Sequence, residues 1–508
     1  MRVKLFFGGV ILLLLMISTA CSGETATEVP QVEENVSYGE EVIVEDEQVF
    51  SIEAKETHWM LNDQLNFEAW TFNGTLPGKE IRVQVGDKVI LTLKNSLSHP
   101  TALHLHGFPV ANEVDGVPGV TQNAIMPGEE FSYEYIADVP GTYWYHSHQN
   151  GAEQVGNGLY GVFIVEPKDG PTYDLEEVIV IDEFSTMMLD MPMNMEIDHS
   201  NMNMDQDMEM GLHDMEMDED ASHNEAMNEM YDTMVINGKT TPSVETIRVK
   251  EGKQIKLRFL NAGLFTQIVS IPGHPFKITH YDGQGVNEPE YFSETAFRIA
   301  PGERYDVEIE MNQPGAWGIE VYAEENKSNL QTLIPLVYKD FEDHELVYDS
   351  FENFFDFTSY GTPKELSIGD ITKDFEMMLG KNDDGETFTI NGKQFPEHEI
   401  YEVEEGDVVQ FTITNETDVD HPMHLHGEFF NVVSKNGEPI KGSPIKKDTL
   451  NVKADETYEV VFEAKNPGNW LFHCHELHHA GGGMVAAVNY KEYEPTFELD
   501  PNVPNQPE

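Results

Sequence analysis

The sequence predicts an all-β protein of three consecutive sandwich or barrel domains. Short runs rich in β-branched and aromatic residues are punctuated by Gly, Pro, Asn and Asp, with little sustained helical periodicity. One residue frame also occurs three times: Val83, Gly86 and Asn95 recur at identical spacing as Val249, Gly252, Asn261 and as Val403, Gly406, Asn415. Each frame carries the same punctuation. Asn73-Gly74, Asn237-Gly238 or Asn391-Gly392 stands upstream; Pro140-Gly141, Pro314-Gly315 or Pro467-Gly468 follows, with Trp144, Trp317 or Trp470 within three residues. Self-similarity at this period means tandem copies of one unit, and 508 residues have room for about three domains. They are expected at about 45–168, 172–345 and 365–492, with 493–508 a tail.

Residues 1–21 read as an export signal: Arg2 and Lys4, an apolar run to Met16, then Ser18-Thr19-Ala20-Cys21. Cys21 in that position is expected to carry lipid, so the chain would be exported and anchored on the outer face of a bacterial cytoplasmic membrane. Later stretches are too polar to span a bilayer. Residues 22–44 are polar and acidic, as suits a flexible tether. The formal net charge of −62 excludes nucleic acid as a partner and favours cations. A monomer is expected.

Chemistry is unequally distributed over the three copies. Nine residues after Asn95 and Asn415 stand His104-Leu105-His106 and His424-Leu425-His426; nine after Asn261 stand Ser270-Ile271-Pro272. Five residues after Gly141 and Gly468 stand His146-Ser147-His148 and His473-Cys474-His475, whereas Gly315 leads to Glu320-Val321-Tyr322. The middle domain therefore reads as a spacer. Twenty histidines scattered at random would give about one His-x-His; four at equivalent positions are a pattern. On a strand both imidazoles of each motif share a face, so two domains offer eight, enough for three metal ions across their interface. Cys474 points the other way. It is the only cysteine besides Cys21, so its chemistry is that of a thiolate ligand. With His479 five residues on, Met484 five beyond that, and a second imidazole, it makes the His2Cys set with a weak thioether that suits electron-transfer copper.

At this point the chain resembles a three-domain multicopper oxidase of the laccase type, over about residues 45–492. The resemblance rests on all four histidine motifs, on Val114-Asp115-Gly116-Val117-Pro118-Gly119-Val120-Thr121-Gln122 and on Gly141-Thr142-Tyr143-Trp144-Tyr145. It implies three cupredoxin-like Greek-key domains and four copper ions. His421, Cys474, His479 and Met484 match the type 1 ligands, His104 and His424 the type 2 ligands. His106, His146, His148, His426, His473 and His475 match those of the type 3 pair. It also implies that a reducing substrate gives electrons to the type 1 copper, that Cys474 passes them to His473 and His475, and that dioxygen becomes water. Asp115 resembles the family carboxylate that assists proton delivery; its other reading is a turn residue before Gly116. Ala480 departs from the Glu that several bacterial relatives carry there. Met484 as axial ligand implies a modest potential and easily oxidised donors.

A run from Met187 to Met234 interrupts the middle domain with 14 of the chain's 23 methionines and with His199, His213 and His223. It is too polar for a core. Thioethers suit Cu(I), so metal capture is expected, against the alternative of an idle acidic linker. Copper-tolerance members of the family carry similar segments. Glu416, Asp418 and Asp420, just before His421, are candidate contacts for a metal-ion donor, unless they are solvent-facing loop carboxylates. The expected activity is therefore Cu(I) oxidation coupled to reduction of dioxygen, in copper tolerance. A broad laccase acting on phenols, aromatic amines, Fe(II) or Mn(II) is one alternative, and a copper-sequestering lipoprotein without turnover is another.

Overall fold

The computed structural model describes residues 46–186, 227, 230–382 and 387–508. The expected signal, Cys21, the tether, and most of the methionine-rich run with His199, His213 and His223 lie outside the described residues. Among the described residues the strands form six sheets, two to each repeat, and no helix is long and apolar enough to cross a membrane.

One sheet of each pair is built on the repeated frame. Lys88–Asn95 and Val408–Asn415 alternate with period two, turning Val89, Leu91, Leu93 and Val409, Phe411, Ile413 to the core at 0% exposure. The equivalent middle strand, Lys253–Asn261, is buried on both faces after its second residue. Ile255, Leu257 and Phe259 fill its own core; Arg258 and Leu260 point into contact with the first domain, where Arg258 Nη1 donates to Thr142 Oγ1 at 2.6 Å.

The repeated asparagines close each domain at its end. Asn95, Asn261 and Asn415 donate from Nδ2 to the carbonyls of His99, Phe265 and Val419, four residues on, and to a second carbonyl across the loop, those of Ile125, Ile299 and Val452. Each Oδ1 accepts from the backbone N–H two residues later. A side-chain amide supplying two donors and an acceptor satisfies backbone groups that no ladder reaches; this is the physical reason the frame ends in Asn.

The second sheet of each pair carries the site. Its order is Gly78–Gln84, Tyr160–Glu166, Gly141–His146, His104–His106 in the first domain. In the third it is Glu399–Val403, Val485–Tyr490, Asn469–Cys474, His421–Leu425, Thr449–Val452. The middle domain repeats it with Ile247–Val249, Gln331–Tyr338, Ala316–Ala323, Gln267–Ser270, Phe297–Ile299. The first pair is parallel in all three and so needs a crossover between the sheets. Register then fixes the equivalences: His104 lies opposite His146, and His424 opposite His473, while the middle domain places Ser270 opposite Glu320.

Candidate metal centre

Period two does what the sequence predicts for it. Leu105 and Leu425 turn to the cores, and the flanking imidazoles turn to the space between the first and third domains, all eight exposed by 2% or less. His104 stacks on His426 at a centroid distance of 4.1 Å, and His106 on His424 at 3.7 Å, so the pairs interleave across the domain boundary. His148, His426 and His473 bring a ligand atom each within 4.8 Å of one another. His475 lies 4.7 Å from His106 and 5.3 Å from His146, centroid to centroid.

Seven of the eight rings have one nitrogen held from outside the cluster. His104 Nδ1 lies 2.7 Å from the Asp115 carbonyl, His146 Nδ1 2.8 Å from that of Ser147, and His424 Nδ1 3.0 Å from that of Asp448. His106 Nε2 meets Asp448 Oδ1 at 3.1 Å, His426 Nδ1 meets Asp115 Oδ2 at 2.9 Å, and His473 Nδ1 meets the Cys474 carbonyl at 3.0 Å. His148 Nδ1 is held by the Pro507 carbonyl. The opposite atoms, His104 Nε2, His106 Nδ1, His146 Nε2, His148 Nε2, His424 Nε2 and His475 Nε2, are buried without a partner. His426 Nε2 and His473 Nε2 face each other at 3.1 Å. Buried polar nitrogens are normally satisfied; eight converging on one space are the donor set of bound cations, and the held nitrogens orient them as ligand imidazoles are oriented. Burial depresses the pKa of His106, His146, His426, His473 and His475 well below the usual value and that of His148 to about 3, so the rings stay neutral, the form that ligates.

Asp115 touches both sides of this cluster. Its Oδ1 is 3.3 Å from His104 Nδ1, and its Oδ2 holds His426. It also ends a 3-10 turn, Asn112–Val114, ahead of Gly116 at φ +85°, where a Cβ would strike the Leu103 carbonyl at 1.9 Å.

On the opposite face of the strand, Cys474 Sγ stands 3.7 Å from His421 Nδ1 and 3.8 Å from His479 Nδ1. His421 is fixed from behind by Thr417 Oγ1, 2.8 Å from its Nε2. Met484 is wholly buried, and two backbone hydrogen bonds tie it to the same loop: its carbonyl accepts from Cys474 N–H and its N–H donates to the His479 carbonyl. Glu476 caps the helix Leu477–Gly481 by accepting from the backbone N–H of His478 and His479. Burial pushes the Cys474 thiol well up, so only a bound cation would hold it as thiolate.

A cavity of about 260 Å³ opens beside His479. Asp420, Glu324, Glu325, Glu476 and Met227 line it, with Lys453 among them. Of the three predicted acidic contacts only Asp420 is there. Glu416 and Asp418 fall at exposed positions of the loop, and Asp418 pairs with Lys381, so for these two the solvent-facing reading holds. Met227 brings the end of the methionine-rich run to the cavity, and Thr186 N–H, just before the run, donates to Asp232 Oδ1.

Several residues of the site have no signature in a single sequence. Asp448, Arg304 and Glu508 are charged residues whose partners lie far away in the chain. Glu324, Glu325 and Glu476 are lost in a uniformly acidic composition. The tail at 493–508 does not trail: it docks on the first domain, and Glu508 comes within 3.1 Å of His473 Nδ1.

Known proteins answer to this architecture. Multicopper oxidase family models match residues 53–170, 209–340 and 370–494. The multicopper oxidase MmcO of Mycobacterium tuberculosis is 28% identical over 83% of this chain and 82% of its own length. The iron transport multicopper oxidase FET3 of Gibberella zeae is 27% identical over 82% and 71%. The copper resistance protein A of Escherichia coli is 24% identical over 84% and 90%. Among solved structures, Fet3p, described as a multicopper oxidase that functions in iron import, superposes with a TM-score of 0.72 at 22% identity, covering 88% of this chain and 90% of that one. Three matched domains in order, eight convergent imidazoles and a buried His2Cys set have one common explanation: the chain belongs to the multicopper oxidases, which bind four copper ions and couple a reducing substrate to dioxygen.

Proposed function

We propose that this oxidase acts on metal ions at the His479 cavity, with Cu(I) as its favoured donor. The observation that carries the reading is the chemistry of that cavity: one thioether, Met227, and four carboxylates facing one ammonium, beside a type 1 ligand. Soft sulfur with hard oxygen suits capture of Cu(I) and release of Cu(II). Burial raises the pKa of Asp420, and that of Glu476 to about 7, and crowding with like charge costs energy that a cation offsets. At about 260 Å³ the cavity is below the usual ~300–1,000 Å³ of pockets for organic ligands, which argues against bulky phenols. Fe(II) is the second reading, favoured by the carboxylates alone.

In this reading His421, Cys474, His479 and Met484 hold type 1 copper, and His104 and His424 hold type 2. His106, His146 and His475, with His148, His426 and His473, hold the type 3 pair. When bound, the coppers take electrons singly and supply four to dioxygen. The chain joins the sites covalently, because Cys474 is peptide-bonded to both His473 and His475. Asp115, against His104 and His426, is the acid placed to hold a proton at Oδ1, which has no hydrogen-bond partner. The amino-terminal signal supports export and anchoring through lipid on Cys21; a Cys21→Ala chain found still in the membrane fraction would refute the anchor.

The test is oxygen uptake by copper-loaded protein with stabilised Cu(I), with Fe(II) and with a phenol, for the intact chain, Met227→Leu, and a deletion of residues 187–226 that spares the packed end. Selective loss of the Cu(I) rate is expected. Equal rates in all three proteins would make this a general laccase.

A further inference from the structure

The middle domain brings no ligand, yet one of its side chains forms the wall of the histidine cluster. Arg304, at 0% exposure, donates from Nη1 and Nη2 to Oδ1 and Oδ2 of Asp448 at 2.8 and 2.7 Å. Its Nε donates to the Thr142 carbonyl of the first domain at 3.1 Å, and Nη1 also to the Gly302 carbonyl at 3.0 Å. Three domains meet at this guanidinium.

Asp448 passes the constraint on to two rings. Its Oδ1 lies 3.1 Å from His106 Nε2, and its backbone carbonyl 3.0 Å from His424 Nδ1. These are the nitrogens facing away from the cluster; His106 Nδ1 and His424 Nε2, on the other side of each ring, are the bare ones. Asp448, with the Thr449 hydroxyl that donates to its Oδ1 and lies 3.1 Å from His106 Nε2 and 3.2 Å from His424 Nδ1, thus selects which nitrogen is presented by a histidine of the first domain and by one of the third. The packing leaves no slack. A Cβ on Gly107 would come within 2.3 Å of both Arg304 Nη2 and Asp448 Oδ2, and one on Gly302 within 3.0 Å of the His475 ring and 3.2 Å of the His106 ring.

The charges are asymmetric. Arg304 is also near Asp282, at 3.7 Å, and its backbone N–H donates to Asp282 Oδ1. Lys447, next to Asp448 in the chain, turns its Nζ to Asp282 and Glu303 instead. Without Arg304, Asp448 would be a buried carboxylate with no cation beside it, left to the Thr449 hydroxyl and the neutral His106 ring.

We propose that Arg304 is a positioning residue for the copper cluster: through its two-pronged grip on Asp448 it sets the ring orientation of His106 and His424. The middle domain is then part of the metal centre and not a spacer. This rests on the reading of those histidines as copper ligands. The arrangement fits a fork that Lys cannot reproduce.

The experiment is copper reconstitution of the full chain as wild type, Arg304→Gln and Arg304→Lys, reading copper per chain, the blue band of the Cys474 site and the type 2 electron paramagnetic resonance signal. Both variants are expected to keep the blue band. Arg304→Gln should bind cluster copper about 10–100-fold more weakly, with altered type 2 hyperfine splitting, and Arg304→Lys should fall between it and wild type. Should Arg304→Gln fail to fold, Arg304→Lys, which still pairs with Asp448 and Asp282, decides the matter. Full copper with an unchanged type 2 signal in Arg304→Lys overturns the proposal. A wild type that takes up only the Cys474-site copper would instead overturn the ligand reading beneath it, and the proposal with it.

Discussion

Cys474 has no contact with solvent and, among the described residues, no disulfide partner, and burial alone would keep it protonated. Its two faces serve different sites, so Cys474→Ser separates them: the blue band and oxygen uptake should vanish while cluster copper binds at the wild-type ratio. Absorbance and metal content check this. Asp115→Asn should do the reverse, retaining all copper and the blue band while turnover falls by roughly 10²-fold or more, the range for loss of a positioned acid. Asp182 offers a prediction free of metal. It is buried on the strand Leu175–Phe184, accepts from Tyr160 Oη at 2.6 Å and Glu183 N–H at 2.8 Å, and burial raises its pKa to about 7. Unfolded, it titrates near 4. Between about pH 4 and 7 the unfolded chain therefore binds fewer protons than the folded one at this site, and stability falls as pH rises. Apo-protein should lose on the order of 1 kcal/mol per pH unit across that window from this group. In Asp182→Asn, where the amide oxygen can accept from Glu183 N–H and the amide N–H can donate to the Tyr160 hydroxyl, the denaturation midpoint should fall less steeply.

At the scale of the element, the repeated frame makes its own control. Asn415 holds the loop that leads to His421: its Nδ2 reaches the Val419 and Val452 carbonyls at 2.6 and 2.9 Å, and its Oδ1 accepts from Thr417 N–H, whose hydroxyl fixes His421. Asn261 makes the same bonds where there is no site. Asn415→Ala and Asn261→Ala should each destabilise by roughly 2–3 kcal/mol, from buried carbonyls left unpaired, but only Asn415→Ala should shift the blue band. An equal spectral change in both would show that the effect is global. The strands bearing His104–His106 and His424–His426 were legible because period-two alternation places two imidazoles on one face whatever the rest of the chain does. Cys474 was legible because a lone cysteine between two ligands has few other uses. Arg304 and Asp448 were not, because a buried ion pair between residues 144 positions apart leaves no local period. Asp418 and Glu416 misled because proximity in sequence to His421 says nothing about which side of an irregular loop a carboxylate takes.

For the whole molecule, the third domain is joined to the first by the interleaved histidines, by the hydrogen bonds Asn112 Nδ2 to the Asn469 carbonyl and Asn466 Nδ2 to the Val110 carbonyl, by the packing of Val117 on Leu471 and Val485, and by the tail. Asn123 Nδ2 donates to the Glu498 carbonyl, Ala124 N–H to Asn505 Oδ1, Gln149 Nε2 to the Pro504 carbonyl and Asn150 N–H to the Gln506 carbonyl, at 2.8 to 2.9 Å. The last residues reach the cluster itself, with Pro507 holding His148 and Glu508 against His473. None of these contacts belongs to a sheet, so their loss leaves every ladder intact. Deleting residues 498–508 should therefore leave a folded protein with its blue band, because His421, His479 and Met484 lie away from the tail. The cluster should behave differently. With His148 unheld and one wall removed, its copper should pass to a chelator several-fold faster than from the full chain, while the type 1 copper leaves at the wild-type rate. Parallel chelation time courses, read as total copper and as the blue band, separate the two. Equal acceleration at both sites would mean that the tail stabilises the whole assembly, and no acceleration at either would mean that the remaining contacts between the two domains hold the cluster without it.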